Sequence, residues 1–204
     1  ETADPAATMA RIEKELNGSQ EPPAMLKWDC ARGLSAVNSA GEPALALVCP
    51  GEEERAMSRD PGLCLKLAEK MPKRCVLFYQ AAHHFLKDPL VAQASWNLRD
   101  ENKSKGACLV FLAPSISLPD ELKQDVLVLT EPVPGPEDIA AIAESVFGMV
   151  KLDKSKQPKM ERLVDALLGY LAAFPIEQAL AVSLTKTGVD MERLAELRRK
   201  YISN

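Results

Sequence analysis

The sequence predicts an α/β protein: a three-layer parallel sheet over residues 1–150, a basic linker at 151–159, and a small helical bundle over 160–204. Three observations carry that reading. Short apolar runs alternate with helix-period segments between residues 61 and 149, the pattern of strands covered on both faces by helices. The stretch KLDKSKQPK (151–159) holds four lysines and no apolar residue except Leu152, as a linker between packed segments does. Beyond it the whole pattern is helical.

The elements follow in order. Asp4 and then Pro5 make a helix start, and Met9, Ile12 and Leu16 form an apolar stripe ending near Asn17-Gly18. AMLKWD (24–29) reads as a short strand after the Pro22-Pro23 break. Residues 31–60 are the least regular. There GLSAV and ALALVC fit either short strands or buried loop, and PGEEERAMSRDPG fits a polar, mobile connection. A helix over 61–71 carries Leu63, Leu67 and Met71 on one side and stops at Pro72. Next come the strand 75–79, a helix over 88–102, the strand ACLVFL (107–112) and the strand VLVLT (126–130). Pro134 to Pro136 lead into a helix over 137–149, with Ile139, Ile142, Val146 and Met149 on its inner face. Past the linker, helices are expected over about 159–171, 175–187 and 189–202. Pro175 starts the second, Gly188 ends it, and Leu194, Leu197 and Tyr201 share a stripe on the third.

Composition narrows the class. The 204 residues are 47% apolar and 26% charged, which is globular rather than disordered. A formal net charge of −4 offers no basic footprint for nucleic acid. No apolar stretch approaches the roughly 20 residues that cross a bilayer. The five cysteines, Cys30, Cys49, Cys64, Cys75 and Cys108, are scattered and mostly set in apolar runs. They suit reduced thiols in a cytoplasmic protein better than a disulfide framework.

Two stretches carry a family likeness. LVFLAPSISLPDELKQDVLVLTEPVPGPEDIAAIAESV (109–146) resembles the run from the sensor-1 strand to the final strand and helix of an AAA+ module. RLVDALLGYLAAFPIEQALAVSL (162–184) resembles the helical lid of such a module. Together they look like the noncatalytic, degenerate N-terminal module of the two-module AAA+ ATPases of the plastid and cyanobacterial reading-frame type. The likeness covers most of 75–204, extends to 1–30, and leaves 31–60 unmatched. It implies a P-loop-like sheet followed by a lid, and it directs attention to the places where nucleotide chemistry would stand.

Each of those places lacks its residue. A phosphate loop needs glycines and a lysine ahead of its helix. The residues before helix 5–17 are ETAD, and Asp4 at the cap would repel a phosphate. After strand 75–79, where a magnesium carboxylate is expected, stand the neutral Gln80 and Ala81. Ser115, or Ser117, falls near the sensor-1 position, and each also fits a plain turn serine before Pro119. The lid helix that would donate an arginine opens with Pro175, Ile176, Glu177 and Gln178.

Two clusters remain. His83 and His84 follow the strand at the mouth of the sheet, where a partner could approach. Adjacent histidines rarely converge on one ion, so no metal is expected there. Lys151, Lys154, Lys156 and Lys159 form a basic cluster, read as a solvated linker, with Lys154 and Lys156 as possible partner-facing groups. Arg198, Arg199 and Lys200 oppose a helix macrodipole and need no ligand.

The expectation is therefore an interaction or assembly module of a larger AAA+ ATPase, with no intact nucleotide site of its own. Its expected partners are a downstream AAA+ module, neighbouring subunits of a ring and a protein substrate; neither membrane nor nucleic acid is expected. ATP and magnesium belong to the downstream module. The alternative is an enzyme that binds or hydrolyses nucleotide at an unconventional site, and a standalone scaffold is a third reading. A helix capped at Asp4 also lacks the strand that feeds it in the architecture it resembles. Either that strand lies upstream, or strand 25–29 is an open edge.

Overall fold

A computed structural model describes residues 1–169 and 171–203. The chain packs as two units, Glu1–Thr130 and Glu131–Asn204.

The first unit is built from α1 (Pro5–Asn17), β1 (Ala24–Asp29), β2 (Gly33–Ala36), α2 (Gly41–Val48), α3 (Glu52–Met57), α4 (Pro61–Ala68), β3 (Cys75–Gln80), α5 (Pro89–Lys105) and β4 (Cys108–Leu112). Its sheet has the order β2-β1-β3-β4, with Leu26 beside Leu77 and Leu77 beside Leu109 in parallel register. The three layers are present. Leu26, Trp28, Leu77 and Tyr79 face a large core with Ala44, Val48, Leu65, Leu67, Val91 and Leu98 of α2, α4 and α5. Alternate residues Met25, Phe78 and Leu112 face the other way, onto Met9 of α1, because side chains along a strand alternate faces.

Residues 31–60 resolve the ambiguity of the sequence and correct one expectation. β2 runs antiparallel to β1, so the sheet is mostly parallel, and the edge of strand 25–29 is closed. The hairpin is local chemistry: Asp29 Oδ1 accepts from Ala31 N and Arg32 N at 3.0 and 2.8 Å, and Gly33 takes φ 79° to turn into β2. A side chain at Gly33 would also collide with Ser58 Oγ. ALALVC is helix, not strand: Ala44 and Val48, four apart, bury one face of α2. The polar connection contains α3, and α4 starts at Asp60, whose Oδ1 accepts from Gly62 N and Leu63 N. Leu63 faces outward at the start of that helix.

The expected strand 126–130 joins no ladder. Among the described residues no strand pairs with it, and Leu127, Val128 and Leu129 are exposed.

The second unit contains α6 (Pro136–Met149), α7 (Met160–Leu167), α8 (Ala173–Ser183), the hairpin β5 (Leu184–Thr185) and β6 (Gly188–Val189), and α9 (Met191–Ser203). Ile139, Ala143, Val146 and Phe147 of α6 share one core with Leu163, Leu167, Ile176, Leu180 and Leu194. The division therefore falls before α6, and not at 150 as the lysine-rich stretch suggested. Residues 151–159 lie inside this unit, lysines outward, folded by Gln157 Nε2 donating to Leu152 O at 3.0 Å. Lys156 Nζ donates to Lys186 O at 2.9 Å. Gly188, at φ 131°, leaves no room for a Cβ beside Lys156 O. That glycine shapes the β5–β6 turn instead of ending a helix, and Pro175 lies within the first turn of α8 instead of opening it. Met149 and Tyr201 are exposed, off the inner stripes expected of them. Position 170 of the expected helix 159–171 lies outside the described residues. No helix among the described residues is long and apolar enough to cross a membrane.

Candidate functional site

In open α/β sheets ligands bind beyond the carboxyl ends of the parallel strands. At that end of the first unit, β3 finishes at Gln80, β4 finishes at Leu112, and α1 begins at Asp4. Thr2 ties the helix start to the sheet, its backbone N–H donating to Ala113 O at 2.8 Å. Asp4 and Gln80, the residues expected at the phosphate and magnesium positions, thus lie at the same end of the first unit.

The start of α1 has its hydrogen bonds satisfied from within the chain. Asp4 Oδ1 accepts from Ala7 N at 3.0 Å, which occupies the third N–H of the helix. Pro5 supplies no N–H at the first position. Thr2 Oγ1 accepts from Asp4 N at 3.0 Å and from Thr8 Oγ1 at 2.7 Å, so two threonine hydroxyls are committed to the cap. A helix N-terminus binds anions through free N–H groups and its dipole. Here a proline and a carboxylate occupy that role.

Gln80 points to α1, with Nε2 3.6 Å from Met9 Sδ. A carboxamide brings no negative charge to hold a hard divalent cation. Ala81 follows in the left-handed region at φ 52°, and this turn swings the chain away from the sheet into residues 82–84. Ser115 and Ser117 are exposed beyond β4. There the Glu1 carboxylate accepts from Ile116 N at 2.9 Å and from Thr130 Oγ1 at 3.2 Å. Those bonds hold its carboxyl below the usual carboxylate range, the Ile116 N–H foremost.

The histidines lie at the same end. Their rings are 3.9 Å apart, His84 exposed and His83 half-buried with Nδ1 enclosed and unpartnered. Among the described residues no three His, Cys, Asp or Glu side chains gather where they could hold a metal ion. Glu177 is half-buried in α8 of the second unit, where Lys154 and Lys156 are exposed. Arg198 caps the end of α7, with Nη1 and Nη2 donating to Ala166 O and Leu168 O at 3.1 and 2.9 Å.

Sequence reading missed two features. Ser58 links three segments: its backbone oxygen accepts from Trp28 Nε1 at 2.6 Å, and its Oγ accepts from Leu34 N at 3.1 Å and donates to Arg55 O at 2.8 Å. No local pattern marks a serine in a polar loop for that role. The second is an open groove of about 410 Å³ lined by Pro89, Ala92, Gln93, Trp96 and Glu121. Trp96 carries the Arg99 guanidinium over its ring at 4.7 Å, and Arg99 also pairs with Asp125 at 3.2 Å. The exposed tryptophan at mid-helix was its available signal.

Comparison with known families gives one match. The family described as SpoVK-like AAA ATPase, N-terminal domain, matches residues 1–131, a span that ends one residue past the first unit. No curated protein matches the chain.

Proposed function

The chain belongs to the SpoVK-like AAA ATPase N-terminal domain family, and from that premise we propose that it is the noncatalytic interaction and assembly module of a larger AAA+ ATPase. The observation that carries the proposal is the filled helix start. Asp4 and Pro5 occupy at α1 the place where a working phosphate loop presents glycine N–H groups and a lysine. Gln80 at the end of β3 supports it from the metal side, since a neutral amide neither holds magnesium nor draws a proton from water. What remains is a P-loop-like sheet whose use is its surface. In this reading the module contacts the ATPase module that follows it, neighbouring subunits or a protein substrate, and nucleotide chemistry is performed elsewhere in the assembly.

Calorimetric titration of this chain with magnesium–ATP tests the proposal. The expected result is no binding in the micromolar range and no phosphate release. A sub-micromolar dissociation constant would overturn it and favour an enzyme with an unconventional site.

A further inference from the structure

The solvent side of α5 carries more apolar surface than a surface helix needs. Its buried line is Val91, Ser95 and Leu98. On the outward side Leu90 stands 75% exposed and Trp96 40% exposed. A Cβ placed on Gly62 would lie 3.7 Å from Leu90 Cβ, so the start of α4, with its exposed Leu63, continues the same patch. Pro89 and Trp96 lead from it into the open groove of about 410 Å³, whose other wall holds Glu121. That wall is the single turn Asp120–Leu122, pinned by the buried Leu122.

Polar groups around the groove are satisfied unevenly. The Arg99 guanidinium lies 4.7 Å from the Trp96 ring and is held by Asp100 and Asp125, which fixes one face of the ring before anything binds. Asp120 pairs with Lys123. Among the described residues the Glu121 carboxylate has no ion-pair or hydrogen-bond partner, and Trp96 Nε1 donates to no acceptor. Gln93 Nε2 gives one hydrogen to Asn97 Oδ1 at 2.8 Å and keeps a second. The groove therefore offers an aromatic ring, two N–H donors and one uncompensated negative charge.

We propose that this groove docks a proline-rich, basic segment of a partner protein in the polyproline II conformation. Each part of that description follows from the lining. A β-strand would need a sheet edge, and neither α5 nor the 120–122 turn has one. A helix, about 10 Å wide with its side chains, needs two long walls, and one wall here is a single turn. A polyproline II segment makes no internal hydrogen bonds, so its carbonyls are free for Trp96 Nε1 and Gln93 Nε2. Its proline rings pack on an aromatic ring, and its conformation is set beforehand, so little entropy is lost. Charge selects the sequence. A lysine or arginine beside the prolines meets Glu121, whereas an acidic residue there is repelled by the same carboxylate. The proposal gives the interaction module a partner chemistry and rests on that reading of the chain.

The chain has two tryptophans, and their indole signals in a ¹H–¹⁵N spectrum supply a probe and a control. Trp96 lines the groove, while Trp28 is fully buried with Nε1 bonded to Ser58 O. Titration with the synthetic peptide PPKPPKPPK is expected to move the Trp96 signal and leave Trp28 in place, with a dissociation constant of about 10–500 µM. Its acidic counterpart PPEPPEPPE is expected to bind about tenfold more weakly or worse. Trp96→Ala, followed through the backbone amide of Gln93, should weaken binding about tenfold or more. Glu121→Gln should weaken it about threefold and reduce its salt dependence. Both side chains face solvent, so unchanged melting temperatures will show that the variants fold. An unmoved Trp96 signal at millimolar peptide, or equal binding of the two peptides, would overturn the proposal. So would a Trp96 signal that answers to a basic amphipathic helical peptide instead, or to protein concentration instead, which would make a second copy the occupant. The magnesium–ATP titration does not read this groove, so the inference and the proposed function fail separately.

Discussion

The two faces of the four-stranded sheet are held in different ways. On one face Trp28 stacks on Tyr79 with ring centroids 4.1 Å apart, under α2, α4 and α5. Both rings also end in hydrogen bonds to backbone carbonyls, Trp28 Nε1 to Ser58 O at 2.6 Å and Tyr79 Oη to Pro61 O at 3.2 Å. Burial there pushes the Tyr79 hydroxyl and the Cys64 thiol far up, so neither ionises while the face stays packed. On the other face Met25, Phe78 and Leu112 pack with Met9, Ile12 and Leu16 of α1 and with Val37. Asp4 and Gln80 both belong to this thinner side. Asp4 and Gln80 thus stand on one face and most of the buried cohesion on the other, so substitutions at these two positions are not expected to loosen the sheet.

Substitutions on each face put that contrast at risk. The largest effect is expected from Trp28→Ala, which removes the fully buried ring and orphans the Ser58 carbonyl. Urea unfolding should show a loss of about 3–5 kcal/mol. Met9→Ala, on the thinner face, should cost about 2 kcal/mol. Equal losses would refute the contrast. Ser58→Ala comes next, at about 1–3 kcal/mol, because the buried Leu34 N–H loses its acceptor. Asp4→Ala should cost about 1 kcal/mol as a lost cap, whereas Asp4→Asn, an equally good cap, should be near neutral. Neither should create ATP binding, since Pro5 still lacks its N–H. The smallest change is expected from Gln80→Glu, within about 0.5 kcal/mol in stability. It should also give no ATP hydrolysis by phosphate release, and measurable turnover would mean that one carboxylate was all the site lacked.

The parts of this molecule that were legible in its sequence are those where local chemistry and packing agree. Asp4-Pro5, Asp60-Pro61 and Asp88-Pro89 start α1, α4 and α5, and the apolar run 75–79 is the buried β3. Illegible parts depend on distant partners. VLVLT has every strand propensity, yet a strand needs a neighbour, and among the described residues none pairs with it. The lysines of 151–159 look like a linker, but the turn at Gly188 holds them against the second unit. Asp29 and Gly33 were sufficient to suggest a hairpin, and only the Asx geometry makes that pattern plain. Of the expected site positions, Asp4 and Gln80 both lie in the first unit, at the start of α1 and the end of β3, whereas Glu177 lies in the second. The Ser58 junction shows only in the folded chain, because its partners are 24 and 30 residues away.

Ser58 has one more consequence, for self-association. β2 is four residues long, and the Leu34 N–H that would recruit a further strand is already taken by Ser58 Oγ. That edge of the sheet has therefore lost one of its donors, whereas β4 is the other edge of the same sheet. Two molecules joined β4 to β4 about a twofold axis use up each other's reactive edge, so stacking terminates at a pair. Fibre growth needs a donor edge at both ends of every subunit. A single serine hydroxyl on the far margin of the sheet thereby biases misassembly toward a form that stops at two.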